Sequence, residues 1–158
     1  MRWAPLLLLL ASFGCGGDKE KRVDPAAGHA LLAEYVGTVQ SMARGGALAE
    51  VDPLLADQLE KASRLEKEGK LPGEVLRRHR RLVEVTRALV TPNPGPAERQ
   101  KIRDFLDAVE GHEKRSAGGG MAEIAPALVE EVLRLHMLLD RTSDREKTRA
   151  QYLSVLDR

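Results

Sequence analysis

Residues 72–90 read PGEVLRRHRRLVEVTRALV, and their spacing decides the fold class. Val75, Leu76, Leu82, Val83, Leu89 and Val90 fall on one face of a helix, because each residue turns the chain by about 100°. Pro72 suits the first turn, where no intrahelical hydrogen bond is lost. A half-buried strand would instead alternate polar and apolar residues, and no stretch of strand length in this chain does so.

Working outward, the same periodicity recurs on both sides. Asp24-Pro25 predicts a helix start, with Asp as N-cap and Pro in the first helical position. Leu31, Leu32, Tyr35, Val36, Val39, Met42 and Ala43 then form a broad stripe, which Gly45-Gly46 ends. Asp52-Pro53 predicts a second start by the same logic, carrying Leu54, Leu55, Leu59, Ala62 and Leu65 as far as Gly69, with 47–51 as a separate turn. Beyond the quoted stretch, Thr91-Pro92-Asn93-Pro94-Gly95-Pro96 is incompatible with helix and predicts a rigid loop. A fourth helix restarts at Pro96, buries Ile102, Phe105, Leu106 and Val109, and is broken by Ala117-Gly118-Gly119-Gly120.

A fifth helix carries Ile124, Leu128, Val132, Leu135 and Leu139, with Pro126 as either a kink or its first position. Ser143 and Glu146 have the spacing of a capping box, so a last helix to Leu156 is expected, bent from the fifth or continuous with it. The expectation is an all-α, single-domain bundle of about five helices over residues 24–158.

Composition narrows the function. The chain has 158 residues with 25 basic and 24 acidic side chains, a balance that argues against a nucleic-acid partner. Past residue 14 the only aromatic side chains are Tyr35, Phe105 and Tyr152, so the core must be built from aliphatic residues. The single cysteine, Cys15, rules out an internal disulfide and needs another use.

That use is suggested by what precedes it. Arg2 is followed by the apolar run Leu6-Leu7-Leu8-Leu9-Leu10-Ala11 and then by small residues, the three-part plan of a secretory signal. The run is about half the ~20 residues that a spanning helix needs. Ala11-Ser12-Phe13-Gly14-Cys15 resembles the lipobox of bacterial lipoprotein precursors, with Gly14 and Cys15 in the matching positions and Ser12 and Phe13 departing from the usual Leu and small residue. The resemblance covers residues 1–15. It implies that residues 1–14 are a signal peptide, that Cys15 becomes the lipidated first residue, and that acyl chains on it hold the protein to a bilayer, two or more chains being needed for stable anchoring. It also implies an envelope location on the extracytoplasmic face, with Gly16 favouring the outer membrane. Residues 15–23 then form a flexible tether, polar and Gly-led, whose segment 16–22 reaches only about 25 Å when extended.

Few residues suggest chemistry. His79 sits in the middle of the apolar face of 72–90, and a buried imidazole needs a partner. His136 lies on the apolar side of the fifth helix. Facing histidines in a bundle can ligate haem iron or a transition metal; otherwise each is a structural histidine bonded to backbone or carboxylate. Arg77, Arg78, Arg80 and Arg81 are expected opposite the stripe, where Glu84 offsets part of their charge. Glu130-Glu131 and the Asp104/Asp107 pair are also expected on polar faces. Ser63, Ser116, Ser143 and Ser154 have neither a Gly-x-Ser-x-Gly context nor a lysine at catalytic spacing, and the glycines at 118–120 lack the Lys-Ser/Thr of a phosphate loop.

The resulting expectation is a lipid-tethered, non-enzymatic interaction or scaffolding module, with no cofactor beyond the lipid on Cys15 and with the bilayer and an envelope protein as partners. The alternative is a haem or metal carrier using His79 and His136. A hydrolytic enzyme is the third class.

Overall fold

The computed structural model describes residues 22–109 and 121–158. The signal segment 1–14, Cys15, most of the tether and the expected break at Gly118–Gly120 lie outside them. Among the described residues there are six helices and no strand: α1 (Pro25–Ala43), α2 (Leu48–Lys67), α3 (Gly73–Val90), α4 (Pro96–Ala108), α5 (Met121–Leu139) and α6 (Arg145–Leu156). The all-α class agrees with the sequence pattern. The count is six because α5 ends at Leu139 and α6 starts afresh after Asp144.

Local chemistry explains the ends of α1. Asp24 accepts a hydrogen bond from Ala27 N, and Pro25 occupies the first turn, as expected. At the other end Gly45 adopts φ +92°, and Gly46 N donates to Ser41 O while Gly45 N donates to Met42 O. This is the Schellman closure, and its left-handed residue favours glycine.

One start differs from expectation. α2 begins at Leu48, so residues 48–51 belong to it and Pro53 stands in its sixth position. Pro126, expected either as a kink or as a first position, stands inside α5. Each proline stands in the sixth helical position, where it gives up the hydrogen bond to the carbonyl four residues before it and its ring crowds that carbonyl. The extra turn ahead of it buries Val51 in one case and Ile124 and Ala125 in the other, and that burial offsets the cost. Asp52 is consequently no cap; it accepts from Arg87 Nε on α3.

The other end-point corrections are smaller. α4 stops at Ala108, with Val109 already extended, well before the glycines expected to break it. Of its apolar residues Phe105 and Val109 are buried, whereas Ile102 and Leu106 are only partly so. The cap of α6 is Asp144, which accepts from Lys147 N, and not Ser143. Ser143 is engaged elsewhere.

α1 is the centre of the bundle, packed against α2, α5 and α6. α3 packs against α2, α4 and α5, so the core lies between α1, α3 and α5. Leu32, Tyr35, Val36 and Val39 of α1, Leu82 and Val83 of α3, and Leu128, Val132 and Leu135 of α5 are fully sealed from solvent. α1 and α5 approach closely at Gly28, where a β-carbon would sit 2.5 Å from Leu139 Cδ1. Two polar pairs inside join helices: Tyr35 Oη donates to Thr86 Oγ1 (2.7 Å), which in turn donates to Leu82 O. Gln58 Nε2 donates to Thr38 Oγ1, joining α2 to α1.

Candidate functional site

Three polar clusters stand out from this aliphatic interior. The first is His79. α3 turns it into the core, where its exposure is 0% and its ring lies edge-on to Tyr35, with centroids 5.8 Å apart. Burial was legible in the sequence, but the expected partner is absent among the described residues: neither ring nitrogen has a hydrogen-bond partner there. Desolvation pushes the imidazole down to about 4, so it is neutral at physiological pH.

The second cluster surrounds His136 at the C-terminal end of α5. His136 stacks face to face on His29 of α1, with centroids 3.6 Å apart and planes 3° from parallel. Its Nδ1 lies 2.9 Å from Tyr152 Oη, and its Nε2 lies 3.1 Å from Ser143 Oγ. Proton counting assigns the directions. Asp140 can only accept, and Ser143 Oγ donates its single proton to Asp140 Oδ2. His136 Nε2–H therefore donates to Ser143 Oγ, and Nδ1 accepts from Tyr152 Oη. Asp140 also takes the backbone and hydroxyl protons of Thr142, which hold its carboxyl below the ordinary range. Burial, reinforced by His29, lowers His136, while Asp140 opposes that shift. Burial pushes Tyr152 up to about 12.

This arrangement ties α1, α5 and α6 together, but it does not activate a nucleophile. The Ser143 proton points at a carboxylate and not at the imidazole, so His136 is not placed to take it. Nor do His79 and His136 form one site. Their neighbours on α1, Tyr35 and His29, are six residues apart, about 9 Å along the helix axis. Both His136 nitrogens are already bonded, and among the described residues no group of three or more His, Cys, Asp or Glu side chains converges as a metal site.

The third cluster corrects two expectations. The sequence pattern puts Arg78 and Glu131 on solvated faces, yet Glu131 is 8% exposed and receives both Nε (2.7 Å) and Nη2 (2.9 Å) of Arg78 in a two-point pair between α3 and α5. That pair raises the Arg78 pKa against the opposing effect of its burial. Arg134 Nη1 approaches Glu131 Oε2 at 3.9 Å. Arg81 reaches α4, donating to the Asp104 carbonyl (2.9 Å) with its guanidinium 6.0 Å from the centre of the Phe105 ring. Only Arg77 and Arg80 remain as simple exposed residues of that run, Arg80 touching Ser63. Glu130 pairs with Arg149 and Arg145 of α6. Arg78, Arg81, Arg134, Glu131 and Glu74 line a cavity of about 320 Å³ together with Phe105, Ala108 and Val109.

No protein-family model, curated protein or solved structure matches this chain. Function must therefore be read from the residues. No described helix is long and apolar enough to cross a membrane.

Several of these residues carried a signal in the sequence. His29 is three residues before Leu32 and seven before Val36, on the stripe of α1. Glu131 stands three residues after Leu128 and four before Leu135, and Arg78 three after Val75 and four before Leu82. Charged residues at stripe positions are the mark of an interhelical pair. Tyr152 and Ser143 gave no comparable sign, since their pairing depends on the turn between α5 and α6.

Proposed function

We propose that this protein is a lipid-anchored component of the bacterial envelope, held to a membrane through Cys15, and that its helical domain serves as a non-enzymatic interaction module at the extracytoplasmic surface. One observation carries the reading: the only cysteine of the chain directly follows the apolar run Leu6–Ala11 and the residues Ser12-Phe13-Gly14. A polar, Gly-led stretch follows it and suits a short tether. The interaction role is supported by the chemistry of the clusters, in which carboxylates and hydroxyls are engaged in pairs and none is poised against a nucleophile. Outer-membrane placement rests on Gly16 next to the cysteine.

The test is metabolic labelling with palmitate in a bacterial host. Wild-type chain should incorporate label and partition with membranes. Cys15→Ser should lose the label and either leave the membrane fraction or accumulate unprocessed. Undiminished labelling of Cys15→Ser would overturn the anchor.

A further inference from the structure

The cavity between α3, α4 and α5 has a composition that a purely structural ion-pair network does not need. Among the described residues, the guanidinium groups of Arg78, Arg81 and Arg134 and the carboxylates of Glu74 and Glu131 line it. The carboxylates are both spent on Arg78: Glu131 holds it at two points and Glu74 Oε1 lies 3.7 Å from its Nη1. Arg134 also approaches Glu131. Arg81 differs. Its contacts are a carbonyl oxygen and the face of Phe105, and no carboxylate among the described residues lies within salt-bridge distance of it. Its charge is thus held in place over an aromatic ring at the edge of a cavity.

We propose that this cavity binds a small organic oxyanion, a carboxylate or a phosphate monoester, with Arg81 gripping the anionic head and Phe105, Ala108 and Val109 packing against an apolar body. A guanidinium presents a planar fork that matches two oxygens of either group. The volume of about 320 Å³ lies at the small end of the range for ligand pockets and admits a single ring with its acid group. Glu131, almost wholly buried, acts as the positioning residue: by fixing Arg78 it keeps the wall of the cavity charged and rigid before any ligand arrives. This inference is independent of the lipid anchor.

The experiment is calorimetric titration of the full chain in phosphatidylcholine nanodiscs, with empty discs as background and with benzoate, phenyl phosphate and neutral benzamide as probes. Saturable binding of either anion without benzamide binding is expected. Arg81→Ala should weaken it about tenfold or more, whereas Arg80→Ala, on the same helix but away from the cavity, should leave it unchanged. Tighter benzoate binding assigns a carboxylate, tighter phenyl phosphate binding a phosphate. Arg81→Lys, which keeps the charge without the fork, guards against misfolding of the alanine variant and should bind measurably but more weakly. Failure of both anions to bind, equal binding of benzamide, or full affinity in Arg81→Ala and Arg81→Lys would overturn the proposal.

Discussion

His79 and His136 look alike in the sequence, each on the apolar face of its helix, yet the fold treats them in opposite ways. His79 is sealed between α1 and α3 with Tyr35 at its edge and no hydrogen-bond partner among the described residues. His136 lies at the end of α5, half-buried, with a partner on each nitrogen and a second imidazole on its face. The difference follows from position along the bundle. In the middle of a helix every neighbouring backbone group is already bonded, so a buried imidazole finds only side chains. At a helix end, turns expose hydroxyls and carboxylates that can reach it.

The contrast can be broken first by packing. Leu82 is fully buried one turn from His79, so Leu82→Ala should cost about 2 to 5 kcal/mol, near the upper end. Leu153, partly buried beside Tyr152, should lose clearly less on the same change. Chemical denaturation of both variants measures the pair, and equal losses would erase the distinction between a sealed and an open environment.

Acid is the next largest lever. In the unfolded chain His79 takes up a proton near pH 6.5; in the folded chain it does so only at about 4. Its folded value is depressed, so stability is retained above pH 6.5, falls as the pH drops toward 4, and changes no further below that on its account. The full loss is about 3 kcal/mol. His136 contributes with the same sign, since its value is also lowered. Denaturation midpoints between pH 7 and 4 should show this decline, and His79→Leu should remove the larger part of it.

Replacing His79 sharpens the comparison at constant pH. With no partner to orphan, His79→Leu should stabilise the fold at pH 7 by about 1 kcal/mol, and His79→Gln, which buries a new amide, should be the less stable of the two. A more stable Gln variant would mean that His79 has a hydrogen-bonding role. The smallest effect is expected at the other histidine. Tyr152→Phe removes one of its hydrogen bonds and should cost about 1 kcal/mol, with Ser143→Ala near or below that.

Much of the fold was legible because helical periodicity is local. The stripes of α1, α3 and α5 name the centre of the core, although Ala43 is exposed, Leu89 and Val90 are only partly buried, and Val85, Val129 and Leu133 are buried beside the stripes; Asp24-Pro25 and Gly45-Gly46 bound α1 as their chemistry requires. Pro53 misled for a definite reason: a proline is best tolerated in the first position, but burial of the apolar turn before it can carry the helix further back, as it also does at Pro126, where both placements were open. Ser143 misled in a similar way, since its hydroxyl serves His136 and Asp140 and leaves the cap to Asp144.

The sequence by itself determined the helical class, the aliphatic core, the burial of His79 and the position of Cys15, because each depends on residue identity and on spacing within one segment. Tertiary structure alone decided the rest. Whether His136 meets His29, Arg78 meets Glu131 or Arg81 reaches Phe105 depends on the rotation and height at which helices pack, and those are fixed by shape-matching between surfaces far apart in the chain. A charge on an apolar stripe announces that it must be paired; only the packed bundle says with what.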